Sequence, residues 1–249
     1  MNNSASGKYP QITTLTDQER IGMVREIFST ITGKYDFLNH LLSLRRDIAW
    51  RRFAAKKMNF FQTNKYLDVA CGTADLSIEA AIQHPQISVT GFDFVPAMVR
   101  AAKNKVEKKK LQDRINIIQG DALNIPFEDN TFDVAGIAFG IRNIPDRERA
   151  LKEMLRVTTP GGQIIILEMT FIQNRFFKFI YYVYLNYMLP AFTKIFSANP
   201  AAYHYLADSI MNFPPPDKFA RILEETGMID IKKYPLTFGV TWLYIGKKL

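Results

Sequence analysis

The sequence predicts an α/β fold, a seven-stranded and mostly parallel sheet whose last strand runs antiparallel. Three observations carry this. From residue 65 onward, short apolar runs alternate with segments of helical periodicity, the pattern of a parallel sheet covered by helices on both faces. The final two runs, 229–235 and 240–246, are separated only by Leu236-Thr237-Phe238-Gly239, too little chain for a crossover, so they pair antiparallel. Apolar residues make up 47% of the chain and charged residues 22%, enough apolar surface for a large core.

Taken in order, residues 1–60 read as a helical cap. Residues 1–17 are polar and expected to be loose, Tyr9-Pro10 being their only partner-like feature. Ile21, Val24, Ile27, Phe28 and Ile31 then fall at helical spacing up to Gly33. A second short helix follows over Tyr35 to Leu44, and a third over Asp47 to Met58 among six Arg and Lys residues. A basic helical preface is not needed to complete a sheet. It serves either as a cover for a binding site or as a surface for a membrane or a partner.

The core, 61–170, places strands at 65–69, 87–93, 115–119, 132–138 and 162–168, with helices at 75–83, 96–110 and 146–157. Residues 217–249 add a helix over 217–226 and the closing hairpin. Between them, residues 171–216 form a lid-like insertion. It holds twelve aromatic residues from Phe176 to Phe213 and a charge-free run from Phe179 to Thr193. The run is too short, and too rich in tyrosine, to span a bilayer. It packs over the core, closes over a greasy substrate, or sits at headgroup level on a membrane.

Composition narrows the function. The single cysteine, Cys71, excludes a disulfide framework and a thiolate metal cluster. His40, His84 and His204 lack ligand spacing, so no metal site is expected. A net charge of +8 favours an anionic partner: nucleic acid, anionic lipid or a negative cofactor. Much of the excess lies in 103–110, which reads as a solvated helix end, because no aromatic residues interleave it as nucleic-acid binding would need. No apolar leader and no spanning run are visible, so a cytoplasmic location is expected.

The stretch that organises the rest is Tyr66 to Leu76, a buried strand, a turn of small residues and a helix start. Gly72 lets the backbone turn sharply and approach a ligand. Thr73 and Asp75 are candidate caps for the helix, whose first N–H groups face the turn. The turn lacks the Gly-x-Gly-x-x-Gly of dinucleotide sites. The next strand, however, ends in Asp93, at the position where α/β folds set a carboxylate against a ribose. Ligands of such sheets sit beyond the strand C-termini, which nominates Cys71 to Asp75, Asp93-Phe94, Gly120-Asp121-Ala122 and Phe139 to Asn143.

With these residues in view, the chain resembles the class I S-adenosylmethionine-dependent methyltransferases, which have a Rossmann-like sheet. Within them it resembles the quinone-biosynthesis C-methyltransferases that act on demethylmenaquinone and on ubiquinone precursors. The resemblance covers about residues 18–249. Its specific carriers are Tyr35-Asp36-Phe37-Leu38-Asn39, Phe139-Gly140-Ile141-Arg142-Asn143 and Leu236-Thr237-Phe238-Gly239-Val240. Tyr203-His204-Tyr205-Leu206 and the more widely shared Leu67 to Leu76 and Pro160-Gly161-Gly162 add to these. Two positions depart from the family: Ala74 stands where a second glycine is usual, and Ala138 where many members carry Ser.

The resemblance implies S-adenosylmethionine as cofactor. Thr73 would lie in its methionine-binding turn, Gly72 and Asp68 would also bind the cofactor, Asp93 would take the ribose hydroxyls, and Asp121 and Ala122 would flank the adenine. It also implies methylation of a quinol ring carbon, demethylmenaquinol first and the ubiquinone precursor, or both, as the alternative. A carbon nucleophile forms when a ring hydroxyl, with a reference pKa of about 10, loses its proton. Arg142 is the candidate to stabilise the phenolate, since arginine is a poor proton acceptor. Tyr35 and Asn143 are candidates to orient the hydroxyls, and His204 to act as the base. Glu168 is a second base or a cap on the lid. Arg142 has an alternative use in a salt bridge to Asp146 or Glu148. The expected partners are a prenylated quinol, the inner face of a membrane and a second copy of the chain, with no nucleic acid. Two rivals are disfavoured: an NAD-dependent oxidoreductase by the missing Gly-x-Gly-x-x-Gly and the antiparallel final hairpin, and a scaffold without catalysis by the intact Asp93, Asp121 and Arg142.

Overall fold

We describe the chain from a computed structural model over residues 15–172, 175–184, 187 and 201–249, without the side chains of 175, 176, 178, 180, 201, 203 and 204. One sheet holds seven strands in the order β3-β2-β1-β4-β5-β7-β6. They are β1 Lys65–Val69, β2 Ser88–Asp93, β3 Ile115–Gln119, β4 Phe132–Ala138, β5 Thr158–Met169, β6 Ile229–Leu236 and β7 Thr241–Lys247. β1 to β5 pair parallel. β7 inserts between β5 and β6, antiparallel to both. The Rossmann-like sheet and its reversed final strand are as expected from the four-residue gap. β5 begins four residues before the expected 162, because Thr158 already pairs with Phe132; a bulge follows before Gln163 pairs with Val134.

The buried face of each strand explains its sequence. In β1 every residue after Lys65 is buried. Tyr66 lies flat over β4, and a Cβ at Gly136 would meet its hydroxyl at 2.6 Å, so only glycine fits there. On one side of the sheet pack α3 (Arg46–Lys56), α4 (Asp75–Gln83) and α5 (Pro96–Lys108), sealed by Trp50, Ala54 and Ala81. On the other pack α6 (Arg147–Val157) and α9 (Pro216–Glu225), sealed by Leu151, Met154 and Phe219. Asp133 ties the lead-in to β1: its carboxylate accepts the backbone N–H groups of Phe61, Gln62, Thr63 and Asn64.

A third apolar cluster lies apart from the sheet. It joins Met23 and Ile27 of α1 (Asp17–Ile31) and Leu38 of α2 (Tyr35–Leu42) to Tyr181 of α7 (Arg175–Val183) and Tyr205 and Ile210 of α8 (Ala201–Met211). The N-terminal cap and the aromatic insertion therefore share one core. The cap's third helix, α3, belongs instead to the sheet. Among the described residues no helix is long and apolar enough to cross a membrane.

Candidate active site

Strand order reverses between β1 and β4, which puts the crevice of this sheet beyond Val69 and Ala138. A cleft opens there, enclosing roughly 940 Å³ of non-protein space with its mouth included. Gly72, Asp93, Asp121 and Ala122 line it, together with Tyr35, Ala138 and Asn143. The cap forms its outer wall through Ile21, Val24 and Phe28. Arg25 of α1 lies 4.4 Å over the Phe94 ring, and Arg20 donates to the Arg142 carbonyl at 2.5 Å. The basic preface is thus a cover for a site.

The turn after β1 takes an unusual backbone. Ala70, Gly72 and Ala74 all have positive φ, at 51°, 56° and 67°. For Gly72 this is free; for Ala74, at the family's second glycine, left-handed backbone costs about 1–2 kcal/mol. Neither Thr73 nor Asp75 caps α4, contrary to expectation: the cap residue is Ala74, with no side-chain bond. Both side chains are drawn elsewhere. Thr73 Oγ1 donates to Asp36 at 2.6 Å, and Lys105 Nζ bridges Asp36, at 2.6 Å, to Asp75. Lys105 is therefore not part of a solvated helix end. It reaches inward and ties α5 to the cap.

Asp93 sits at the end of β2, 8% exposed. One oxygen accepts the Gly72 N–H at 2.9 Å and the other the Val95 N–H at 2.8 Å. Burial pushes its carboxyl up, against the pull of the N–H donors of Val95, Gly72 and Phe94. A carboxylate has about four lone-pair positions, so two remain for a pair of hydroxyls. Phe94, Met98, Ala122 and Leu123 make the adjoining wall apolar, and the first turn of α4 keeps its N–H groups uncapped. A diol beside a flat base and a carboxylate-bearing arm, the parts of S-adenosylmethionine, fit these residues. Two expected contacts are less direct. Thr73 is spent on Asp36, and Asp68 lies behind the turn, accepting from Ser77 Oγ at 2.5 Å and from the Tyr66 hydroxyl at 3.3 Å. Burial pushes the Asp68 carboxyl up to about 7, beyond what these two donors and Arg51 pull back. Burial also raises the Cys71 thiol well above its usual range, the opposite of an activated nucleophile.

A second cavity, roughly 660 Å³ with its opening, adjoins the first, and Tyr35 and Phe139 line both. Arg142, Arg51, Asp47 and Asn39 bring polar groups to it; Leu42, Met169, Leu206 and Val240 bring apolar ones. Phe139 adopts φ +58° at the end of β4, strained backbone that holds its ring beneath Arg51, 5.1 Å away. Arg142 is ion-paired, but with neither expected partner. Its Nη1 lies 2.5 Å from Glu168 Oε1 and donates to the Phe139 carbonyl at 2.7 Å. Asp146 instead caps α6, and Glu148 pairs with Lys152. Glu168 is fully buried and is the counter-ion of Arg142. Asn143 accepts from the Tyr205 hydroxyl at 3.0 Å, which ties the site to α8. The side chain of His204 lies outside the described residues.

The sequence reading gives no role at the site to Asp47 and Arg51, set in a run of arginines, or to His40, weighed there only as a metal ligand. Asp47 is 2% exposed. It accepts from Ser43 Oγ and Arg51 Nη1, each at 2.6 Å, and meets His40 Nδ1 at 2.8 Å. Burial opposes its ionisation, but Ser43 and Arg51 outweigh that and hold its carboxyl below the usual value. The available signal was an acid among bases four residues before Arg51, the i,i+4 spacing of a helical ion pair.

The profile of the ubiE/COQ5 methyltransferase family matches residues 13–248. A ubiquinone/menaquinone biosynthesis C-methyltransferase of Geotalea daltonii is 42% identical over 226 residues, 90% of this chain and 96% of that protein. A demethylmenaquinone methyltransferase of Anoxybacillus flavithermus is 38% identical over 232 residues, 93% of this chain and 98% of that protein. Solved structures agree in fold alone. A possible histamine N-methyltransferase of Thermotoga maritima gives a TM-score of 0.61 at 18% identity, covering 90% of this chain and 99% of that one. The [4+2]-cyclase SpnF gives 0.65 at 15%, covering 94% and 96%, so the sheet by itself does not dictate the reaction. Sequence kinship and the cleft at the strand ends agree: the chain belongs to the ubiE/COQ5 methyltransferase family and is an S-adenosylmethionine-dependent methyltransferase.

Proposed function

We propose that this enzyme methylates a ring carbon of demethylmenaquinol to give menaquinol. The observation that supports it most is the second cavity, which meets the cofactor cleft at Tyr35 and Phe139 and combines two buried arginines with apolar walls. A prenylated quinol carries the matching parts, ring hydroxyls and an apolar body. S-adenosylmethionine supplies an electrophilic methyl on a sulfonium. Tyr35 stands between the two spaces, and burial raises its own phenol, so it stays a hydrogen-bond donor at neutral pH. Arg142 and Arg51 are each paired with a carboxylate, so they offer oriented N–H groups more than net charge to a forming phenolate. Asn143, held by Tyr205, orients a hydroxyl from the cleft side. The named relatives divide between the menaquinone and the ubiquinone/menaquinone descriptions, which makes the ubiquinone precursor, alone or as a second substrate, the alternative.

Methyl transfer from labelled cofactor to reduced demethylmenaquinone in detergent, beside a reduced polyprenyl methoxybenzoquinone, tests the proposal. Label in the first product alone supports a dedicated menaquinone enzyme, and label in both a dual one. Label in neither, with cofactor binding intact, removes the quinol assignment.

The substrate's tail implies contact with a membrane face. Leu44, 83% exposed, and Phe37 protrude near α2, with Arg45 and Arg46 exposed beside them. Such a mix suits an anionic bilayer surface. Binding to anionic vesicles that falls with salt is the expected result, and no binding at any salt would sink it.

A further inference from the structure

The geometry points to Asp47 and His40 as the route by which the substrate's hydroxyl proton leaves the second cavity. This rests on the quinol reading above. Among the described residues lining that cavity, Asp47 is the only carboxylate. Glu168 does not line it, and is held beneath by the Arg142 side chain and by the backbone N–H groups of Arg142 and Met169. Asp47 faces inward, 2% exposed, while the His40 side chain beside it is 29% exposed. Cavity, carboxylate, imidazole and water therefore form a continuous path, with 2.8 Å between Asp47 Oδ2 and His40 Nδ1. The charged and titratable groups around it are Arg51 on α3, with Asp75 at 4.0 Å from Arg51, and Tyr35, Arg142, Tyr181 and Tyr184 across the cavity.

The step balances as follows. The quinol O–H bond breaks, the proton goes to Asp47, and the electron pair stays on oxygen, facing the guanidinium groups. Asp47 hands the proton to His40 Nδ1 in the tautomer that carries hydrogen on Nε2, and His40 releases the Nε2 hydrogen to water. The resulting Nδ1–H tautomer, which donates to Asp47, returns to the Nε2–H form by proton exchange with solvent at the exposed ring before the next turnover. After the ring carbon takes the methyl, its C–H proton returns to the oxygen, so one proton leaves per turnover. A weak, ion-paired carboxylate is suited to pass a proton and unsuited to keep it, and the partly exposed His40 imidazole is the base within hydrogen-bond reach of it.

The test measures kcat against pH for wild type, His40→Ala, His40→Gln and Asp47→Asn, with cofactor affinity measured alongside. Wild type should lose activity on the acid side of its pH profile. His40→Ala should lower kcat about 100-fold, abolish that limb, leave cofactor affinity unchanged, and recover with added imidazole, which the exposed ring position admits. If His40→Ala fails to bind cofactor, His40→Gln is read in its place by the lost limb. A wild type inactive on every quinol overturns the quinol reading and the route together. An active wild type with His40 variants of unchanged kcat and pH profile overturns the route alone. So does a loss that imidazole does not restore in a His40→Ala enzyme that still binds cofactor.

Discussion

Arg142 and Glu168 meet across the ends of adjacent strands with Nη1 and Oε1 2.5 Å apart, and the second oxygen of Glu168 accepts the Arg142 backbone N–H at 3.1 Å. The side chain and the main chain of one residue are thus both held by one buried carboxylate. The pair also fixes the turn after β4 that carries Phe139 and Asn143 into the cleft. Removing the carboxylate leaves a guanidinium buried without its counter-ion, a loss of about 3–5 kcal/mol. Glu168→Gln is therefore expected to lower the urea midpoint sharply and to lower kcat, while Glu168→Asp falls between. A Glu168→Gln protein of wild-type stability would show that the pair is not what holds the turn.

Asp93 is expected to govern cofactor affinity and nothing at the quinol. Asp93→Asn keeps one acceptor for Gly72 or Val95 but loses charge and one hydroxyl acceptor. A hydrogen bond to a charged group is worth about 1.5–3 kcal/mol, or roughly 10–150-fold in Kd. Titration calorimetry with S-adenosylhomocysteine reads this directly. An unchanged Kd would take the ribose away from Asp93.

Much of this was legible in advance, for a physical reason. Strands and helices of an α/β sheet write their periods into the chain, and the rule that ligands lie beyond strand C-termini needs only those periods. Gly72, Asp93, Asp121 and Ala122 duly meet in one cleft. Thr73 and Lys105 were misread because their partners are set by three-dimensional packing, whereas Asp47, whose partners lie four and seven residues away, was a local pattern passed over. Thr73 and Asp36 are 37 residues apart, and Lys105 and Asp36 are 69 apart. No local pattern distinguishes the one lysine of a basic helix that turns inward.

Asp68 makes stability depend on pH in an unusual direction. Its folded carboxyl, raised by burial to about 7, binds a proton that the unfolded chain releases near 4. The folded state holds more protons in that window, so the contribution is full below pH 4 and is lost as pH rises through 7. Between pH 5 and 8 wild type should lose about 2–3 kcal/mol relative to Asp68→Asn, at 1.36 kcal/mol per unit. Urea titrations of both proteins at the two pH values give the difference. A constant gap would mean Asp68 is ionised throughout.

Lys105 should control how readily the cap lifts from the cofactor. Its ammonium joins three elements: Asp36 on α2, Asp75 on α4, and α5 itself, with Thr73 Oγ1 at 3.4 Å. Asp36 is also the acceptor of the Thr73 hydroxyl, so one cluster fastens α2 to the glycine turn. Because α1 and α2 form the outer wall of the cleft, cofactor exchange requires this cluster to part or the wall to bend. The groups are about one-quarter to one-third exposed, with side-chain values of 24% and 35% for Lys105 and Asp36, so solvent screens the pair. Its worth is about 1 kcal/mol, not the several expected of a buried pair. Lys105→Met should therefore change global stability little, yet speed dissociation of S-adenosylhomocysteine about fivefold, the same 1 kcal/mol expressed as a rate. Asp36→Asn should do likewise, and the double variant should add little to either, since both break one cluster. Stopped-flow dissociation at low and high salt separates the outcomes: salt should quicken wild type toward the variants and leave the variants unmoved. Equal rates in all four proteins would place the cap's hold elsewhere, in the Arg25 stack on Phe94 or the shared core with α7 and α8.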